Sequence, residues 1–108
     1  MKEPFVKLSA LMAREMFPGA TARFLHAENI TMAYWDFKPG VPIPEHAHVH
    51  EQIFNVIEGT FDLTIDGETR RMETGSAAII PSNVKHRGQS VTACTIIDVF
   101  YPVREDLK

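Results

Sequence analysis

The chain has 108 residues, 44% of them apolar and 23% charged, with a formal charge of −3. That length fits one domain over 1–108, able to bury roughly two-thirds of the surface its unfolded form exposes, and the balance of residues excludes disorder. The acid surplus argues against nucleic acid, whose phosphates call for excess Lys and Arg, and no apolar run approaches the ~20 residues that cross a bilayer.

In chain order, Met1-Lys2-Glu3-Pro4 leads into mixed polar sequence rather than an apolar leader core, so export is not expected and 1–19 reads as an N-terminal arm. Within it Leu8–Met16 is the one stretch that suits a helix, stopped by Pro18-Gly19. Beyond the arm, short β-type runs alternate with turn signals, the rhythm of an all-β sandwich or barrel, with the barrel core over 31–103. Thr31–Lys38 is aromatic-rich and ends at Pro39-Gly40; Ile53–Ile57 is closed by Glu58-Gly59. Phe61, Leu63 and Ile65 alternate with polar residues up to Asp66-Gly67, a tight-hairpin signal because both residues tolerate positive φ. Ala77–Ile80 ends at Pro81, and Val91–Tyr101 at Pro102. Cys94, the single cysteine, lies in that last apolar run and reads as a small buried hydrophobe. With no disulfide available, a reducing cytoplasm fits.

Histidines carry the chemical signal. Three occur in Glu45-His46-Ala47-His48-Val49-His50-Glu51-Gln52, and a fourth, His86, comes after Pro81-Ser82-Asn83-Val84-Lys85. A strand sends residues i and i+2 to one face, so His46 and His48 can meet one ion, with His86 reaching it from across a barrel. Imidazole suits divalent zinc, nickel, copper and iron, and oxygen donors complete mixed sites. His50 shares the parity of His46 and His48 and reads as a residue that supports the ligands from behind or lines the pocket; Glu51 should face the other way. His26, among Arg23, Phe24 and Leu25, has no partner pattern and reads as structural.

These residues resemble the two cupin motifs. Gly40, His46, His48, Gln52 and Gly59 match the spacing of the first, with Gln52 where glutamate is usual; Gly75, Pro81, Asn83 and His86 match the second, with Asn83 where glycine is commoner. The resemblance covers about half the chain and implies a metal-binding double-stranded β-helix with His46, His48, Gln52 and His86 as ligands. A neutral amide in place of a carboxylate leaves the ion its full charge, which suits Lewis-acid chemistry better than oxygenase chemistry.

A second constellation lies in Asp98-Val99-Phe100-Tyr101-Pro102-Val103-Arg104-Glu105-Asp106. Asp98 interrupts an apolar run, and burying a carboxylate costs several kcal/mol unless it is paired or hydrogen-bonded. Parity puts Asp98 and Phe100 on one face. If that face is the interior, an acid, an aromatic wall and Arg104 surround one cavity. Asp98 would then serve as general acid or base, and the planar fork of Arg104 would take a carboxylate. Together with the histidine cluster this looks like the pectin-degradation cupins of the KdgF family. That resemblance implies a homodimer that converts 4,5-unsaturated uronates, small acidic sugar products of lyases, from cyclic to linear ketone form. It implies Asp98 and Arg104 as catalytic residues, with Phe100 and Arg104 around the substrate; His50 joins the substrate-binding candidates on its strand parity alone. The metal stays open among nickel, zinc, manganese, iron and cobalt. Competing readings are another metal-dependent cupin enzyme, such as a sugar isomerase or dioxygenase, and a non-catalytic cupin that binds a small acidic ligand.

Overall fold

Among the described residues ten strands make up the fold: β1 (Arg14–Phe17), β2 (Ala20–His26), β3 (Thr31–Phe37), β4 (Pro42–His46), β5 (Glu51–Glu58), β6 (Phe61–Ile65), β7 (Glu68–Met72), β8 (Ala77–Ile80), β9 (His86–Ser90) and β10 (Cys94–Tyr101). They come from a computed structural model that describes residues 3–108; Met1 and Lys2, where the polar N-terminal arm begins, lie outside the described residues. Two antiparallel sheets result, one of six strands in the order β1-β2-β3-β10-β5-β8 and one of four in the order β4-β9-β6-β7. The all-β expectation is met, and the runs at 53–57, 61–65 and 77–80 are β5, β6 and β8.

The helix expected over Leu8–Met16 does not form. Only a single 3₁₀ turn, Leu8–Ala10, is present, and Arg14–Phe17 pairs with β2 instead. A short helix without a long apolar face has little intrinsic stability, and pairing with a neighbouring strand overrides it. Pro18-Gly19 therefore turns a hairpin rather than ending a helix, with Gly19 at φ 86°.

The core lies between the sheets because alternation buries one face of each long strand. On β10 the buried residues are Cys94, Ile96, Asp98 and Phe100; on β3 they are Thr31, Ala33, Trp35 and Phe37. From the second sheet Phe61 crosses the gap, its ring 5.5 Å from Phe37 and 5.0 Å from Phe54. Burying each such ring contributes about 1.5–3 kcal/mol. Gly88 makes room for it, since a Cβ there would stand 2.4 Å from the Phe61 ring. Cys94 is buried and its Sγ–H donates to the Thr60 carbonyl at 3.1 Å. Burial pushes its thiol pKa up, as an unreactive core cysteine requires.

Two turns place the site. After β3, Gly40 takes φ 75°, and Ser90 clasps the corner by donating to the Lys38 carbonyl at 2.6 Å and accepting from Val41 N–H at 2.9 Å. The chain thus leaves the first sheet and β4 pairs with β9. The Asp66-Gly67 corner has φ 49° and 80°, the hairpin that its sequence predicts. On the outer face of the six-stranded sheet Ile53 sits opposite Ile79 and Val99, and Ile53, Ile57, Ile79 and Tyr101 remain exposed. Among the described residues no helix is long and apolar enough to cross a membrane.

Candidate functional site

His46 ends β4 and pairs in register with His86, the first residue of β9. The two imidazoles therefore come from neighbouring strands of one sheet, with ring centroids 4.2 Å apart, not from opposite sides of the barrel as the sequence suggested. His48 lies beyond the end of β4, so same-face parity is not what brings it to His46. A loop does so instead. The His48 carbonyl accepts from Asn83 N–H at 2.8 Å, and the Val49 carbonyl from Ser82 Oγ at 2.6 Å, which ties the loop 47–50 to the turn before β9. Asn83 sits at φ 65°, the left-handed region that asparagine tolerates better than most residues, which accounts for its standing where glycine is commoner.

The ligand atoms of His46, His48 and His86 lie within 4.8 Å of one another. Each ring donates Nδ1–H to a carbonyl: His46 to Pro44 at 2.8 Å, His48 to His50 at 2.9 Å and His86 to Val84 at 2.9 Å. These bonds set the tautomers and leave three Nε2 lone pairs for one centre, the arrangement in which metal-bound histidines are held. His86 Nε2 is buried with no partner, an omission that costs about 1–3 kcal/mol unless something fills it. His48 Nε2 faces Gln52 Oε1 at 3.1 Å. With Nδ1 protonated, both atoms are acceptors, and two acceptors at that distance call for a cation between them. Burial, reinforced by Arg104 and the neighbouring imidazoles, lowers the pKa of His48 to about 4, and burial lowers that of His86 as well. Both are therefore neutral at pH 7 and need lose no proton to bind a metal. The three histidines could hold a divalent ion, and the donor set fits one.

Gln52 joins this group to the acid. It is buried on β5, directly opposite Phe100 on β10, and its Nε2–H donates to Asp98 Oδ1 at 2.8 Å. That bond turns Oε1 toward His48. Burial raises the pKa of Asp98 to about 7, against the opposing effects of the Gln52 hydrogen bond, the neighbouring Trp35 indole and the charge of Arg104. The Trp35 Nε1–H is itself buried without a partner in hydrogen-bonding geometry. Phe100 packs edge-on to His48, centroids 5.7 Å apart, and the Arg104 guanidinium lies 4.7 Å from the Phe100 centroid.

His46, His48, Gln52, His86, Asp98, Phe100 and Arg104 all line one cavity of about 280 Å³, whose remaining wall is largely aromatic and aliphatic. His50 is not among the lining residues. Its ring stands 5.6 Å from His48, on the side of Arg104 and Asp106, whose charges act on it in opposite directions. Glu51 is exposed and pairs with Tyr101, away from the cavity. His26 lies on β2, Nδ1 2.9 Å from Thr31 Oγ1. Sequence reasoning passed over Trp35, Met16, Phe17 and Leu107, which also line the cavity. The inward parity of Trp35 on β3 was a usable signal; for residues of the N-terminal arm and the C-terminal turn there was none.

The cupin domain family (Cupin_2) matches residues 33–100. The pectin degradation protein KdgF of Dickeya dadantii (strain 3937) is 33% identical over 82 residues, 74% of either chain. Among solved structures, KdgF from a Halomonas species superposes with a TM-score of 0.92 at 25% identity, covering 99% of this chain and 100% of that one. An RmlC-like cupin from Shewanella frigidimarina NCIMB 400 reaches the same TM-score at 27% identity over 99% of this chain and 97% of the other. With the fold, both motifs and relatives of this kind in agreement, the chain belongs to the cupin family and is a cupin of the KdgF type.

Proposed function

We propose that this chain, working as one cupin unit, opens 4,5-unsaturated uronates of the kind lyases release from pectin or alginate, giving the linear ketone. The observation that carries the reading is the Gln52 carboxamide. It turns its oxygen to the three-imidazole centre and its N–H to a buried acid, so that metal centre and proton-transfer group share one wall of one cavity. The likeness to a protein named for pectin degradation supports the substrate class.

In this reading His46, His48, Gln52 and His86 hold one divalent transition metal ion. When bound, it supplies Lewis-acid stabilisation of negative charge developing on the sugar oxygens. The residues do the rest. Asp98, with a pKa near the working pH, accepts the proton of the anomeric hydroxyl as the carbonyl forms and the ring C–O bond breaks. The enolate released is protonated at the former alkene carbon next to it, giving the ketone, and the proton that Asp98 took is the one it returns. Arg104 takes the substrate carboxylate, and Phe100 lies beneath it as the wall against which the sugar packs. The apolar remainder of the cavity excludes water, which strengthens these polar contacts. His50 enters through Arg104 and Asp106 rather than by lining the cavity. A cytoplasmic homodimer completes the reading; the exposed isoleucines of the outer sheet face support the pairing of two copies.

The test is direct. Metal-loaded protein is mixed with lyase-generated unsaturated galacturonate, and the conjugated-alkene absorbance is monitored. Its loss without oxygen uptake is expected. Absorbance that persists sinks the proposal, and oxygen consumption transfers it to a dioxygenase.

A further inference from the structure

Arg104 is gripped on one edge. Its Nε donates to Asp106 Oδ1 at 3.0 Å and its Nη2 to Asp106 Oδ2 at 2.8 Å, a two-bond match of fork and carboxylate. Its flat face is stacked on Phe100, and its backbone N–H is fastened to Thr31 Oγ1 at 2.8 Å. The Arg104 side chain is only 14% exposed, whereas that of Asp106 is 57% exposed. Asp106 is not a cavity-lining residue; it grips from outside. An ion pair with one partner this exposed contributes little to stability, so holding the fold together does not account for it.

The geometry accounts for it otherwise. A guanidinium has a side edge (Nε and Nη2) and an end edge (Nη1 and Nη2), each with two parallel N–H donors. With the side edge taken, the end edge is left, and Arg104 lines the cavity. We propose that Asp106 is a positioning residue, which by occupying the side edge of Arg104 presents the end edge to the carboxylate of a ligand in the cavity. This deepens the uronate reading and rests on it. A free arginine would lose its rotamer freedom on meeting the ligand; here that loss is already met on folding. Pairing on one edge also selects the ligand group, since the remaining edge matches a planar two-oxygen anion better than a lone hydroxyl.

The experiment compares wild-type protein, Asp106→Ala and Asp106→Asn, each metal-loaded and full-length, on unsaturated galacturonate. Asp106→Ala is expected to raise KM about tenfold or more while kcat changes little and metal content and Tm stay unchanged. Asp106→Asn, which keeps one acceptor oxygen, should fall between; it also serves if the alanine variant does not fold. Wild-type KM in both variants overturns the proposal, as does a parallel fall of kcat, metal content and Tm, which would mark a structural role. If the wild type leaves the unsaturated sugar unchanged, the functional reading fails on its own. Calorimetric binding of galacturonate then decides the positioning. About tenfold weaker binding by Asp106→Ala supports it; equal binding by both proteins, or none by the wild type, overturns it.

Discussion

The two halves of the site are built by opposite means. The imidazole half belongs to the four-stranded sheet and is irregular: the β4–β9 register shifts between Ile43 and His46, His48 sits in a loop, and Asn83 holds a left-handed corner. Its rings are aimed by backbone carbonyls, one for each Nδ1. The acid half belongs to the six-stranded sheet and is regular from Ile96 to Tyr101, where β10 pairs with β5 in unbroken register. Asp98 and Phe100 face inward because β10 alternates, and Gln52 does so because β5 alternates. Three rings that must converge on one point need local bends, whereas an acid that must be buried needs only the inward side of a central strand. Gln52 faces both halves, its oxygen turned to His48 and its N–H donating to Asp98.

That contrast can be broken from either side. The largest effect is expected from His86→Ala. One-ion-per-chain binding should be lost by metal analysis, and turnover should fall beyond the ~10–100-fold that loss of an outer partner costs. A variant that still holds one ion would dissolve the distinction between the halves. Asp98→Asn should keep the metal and lose about 10²–10⁴ in turnover, since only the proton-transfer group is removed. Gln52→Glu touches both halves. The ion should remain bound, while a second negative charge beside Asp98 raises its proton affinity further and moves the pH–rate profile to the alkaline side by about one unit. An unmoved profile would show that the two carboxyl groups do not communicate.

Smaller effects sharpen the comparison. Asn83→Ala should cost about 1 kcal/mol, because alanine tolerates the left-handed corner poorly, and should lower Tm by several degrees with weaker metal affinity; Asn83→Gly should not. Without metal the two halves should respond to pH in opposite senses. The pKa of His48 is lowered from 6.5 to about 4, so its contribution to stability is present above pH 6.5 and is lost as pH falls toward 4. That of Asp98 is raised from 3.8 to about 7, so its contribution is present below pH 3.8 and is lost as pH rises through 7. The two windows overlap, so in denaturant unfolding of the metal-free protein the effects should largely cancel between about pH 4 and 6.5, and Asp98→Asn should expose a rise of stability with pH that the wild type does not show.

Much of this was legible in the chain. Alternation at Phe61 and Leu63, the Asp66-Gly67 corner and the shared inward face of Asp98 and Phe100 are local properties that the structure repeats, whereas at the end of β6 Thr64 is buried and Ile65 only half-buried. The fold family was legible as well, because the histidine spacings are tied to glycines and a proline at turns. Other expectations failed for one physical reason. Strand parity says which face a residue takes but not which strand lies beside it. The sequence therefore determined β3, β5, β6, β8 and β10, the inward face of β10 and the candidate residues. Tertiary pairing decided that Arg14–Phe17 is a strand, that His46 and His86 are neighbours rather than opposites, that Gln52 lies against Phe100 within reach of Asp98, and that Asp106 takes one edge of Arg104. Register between distant segments is a property of the packed whole, set when both sheets close on one core, and no local pattern encodes it.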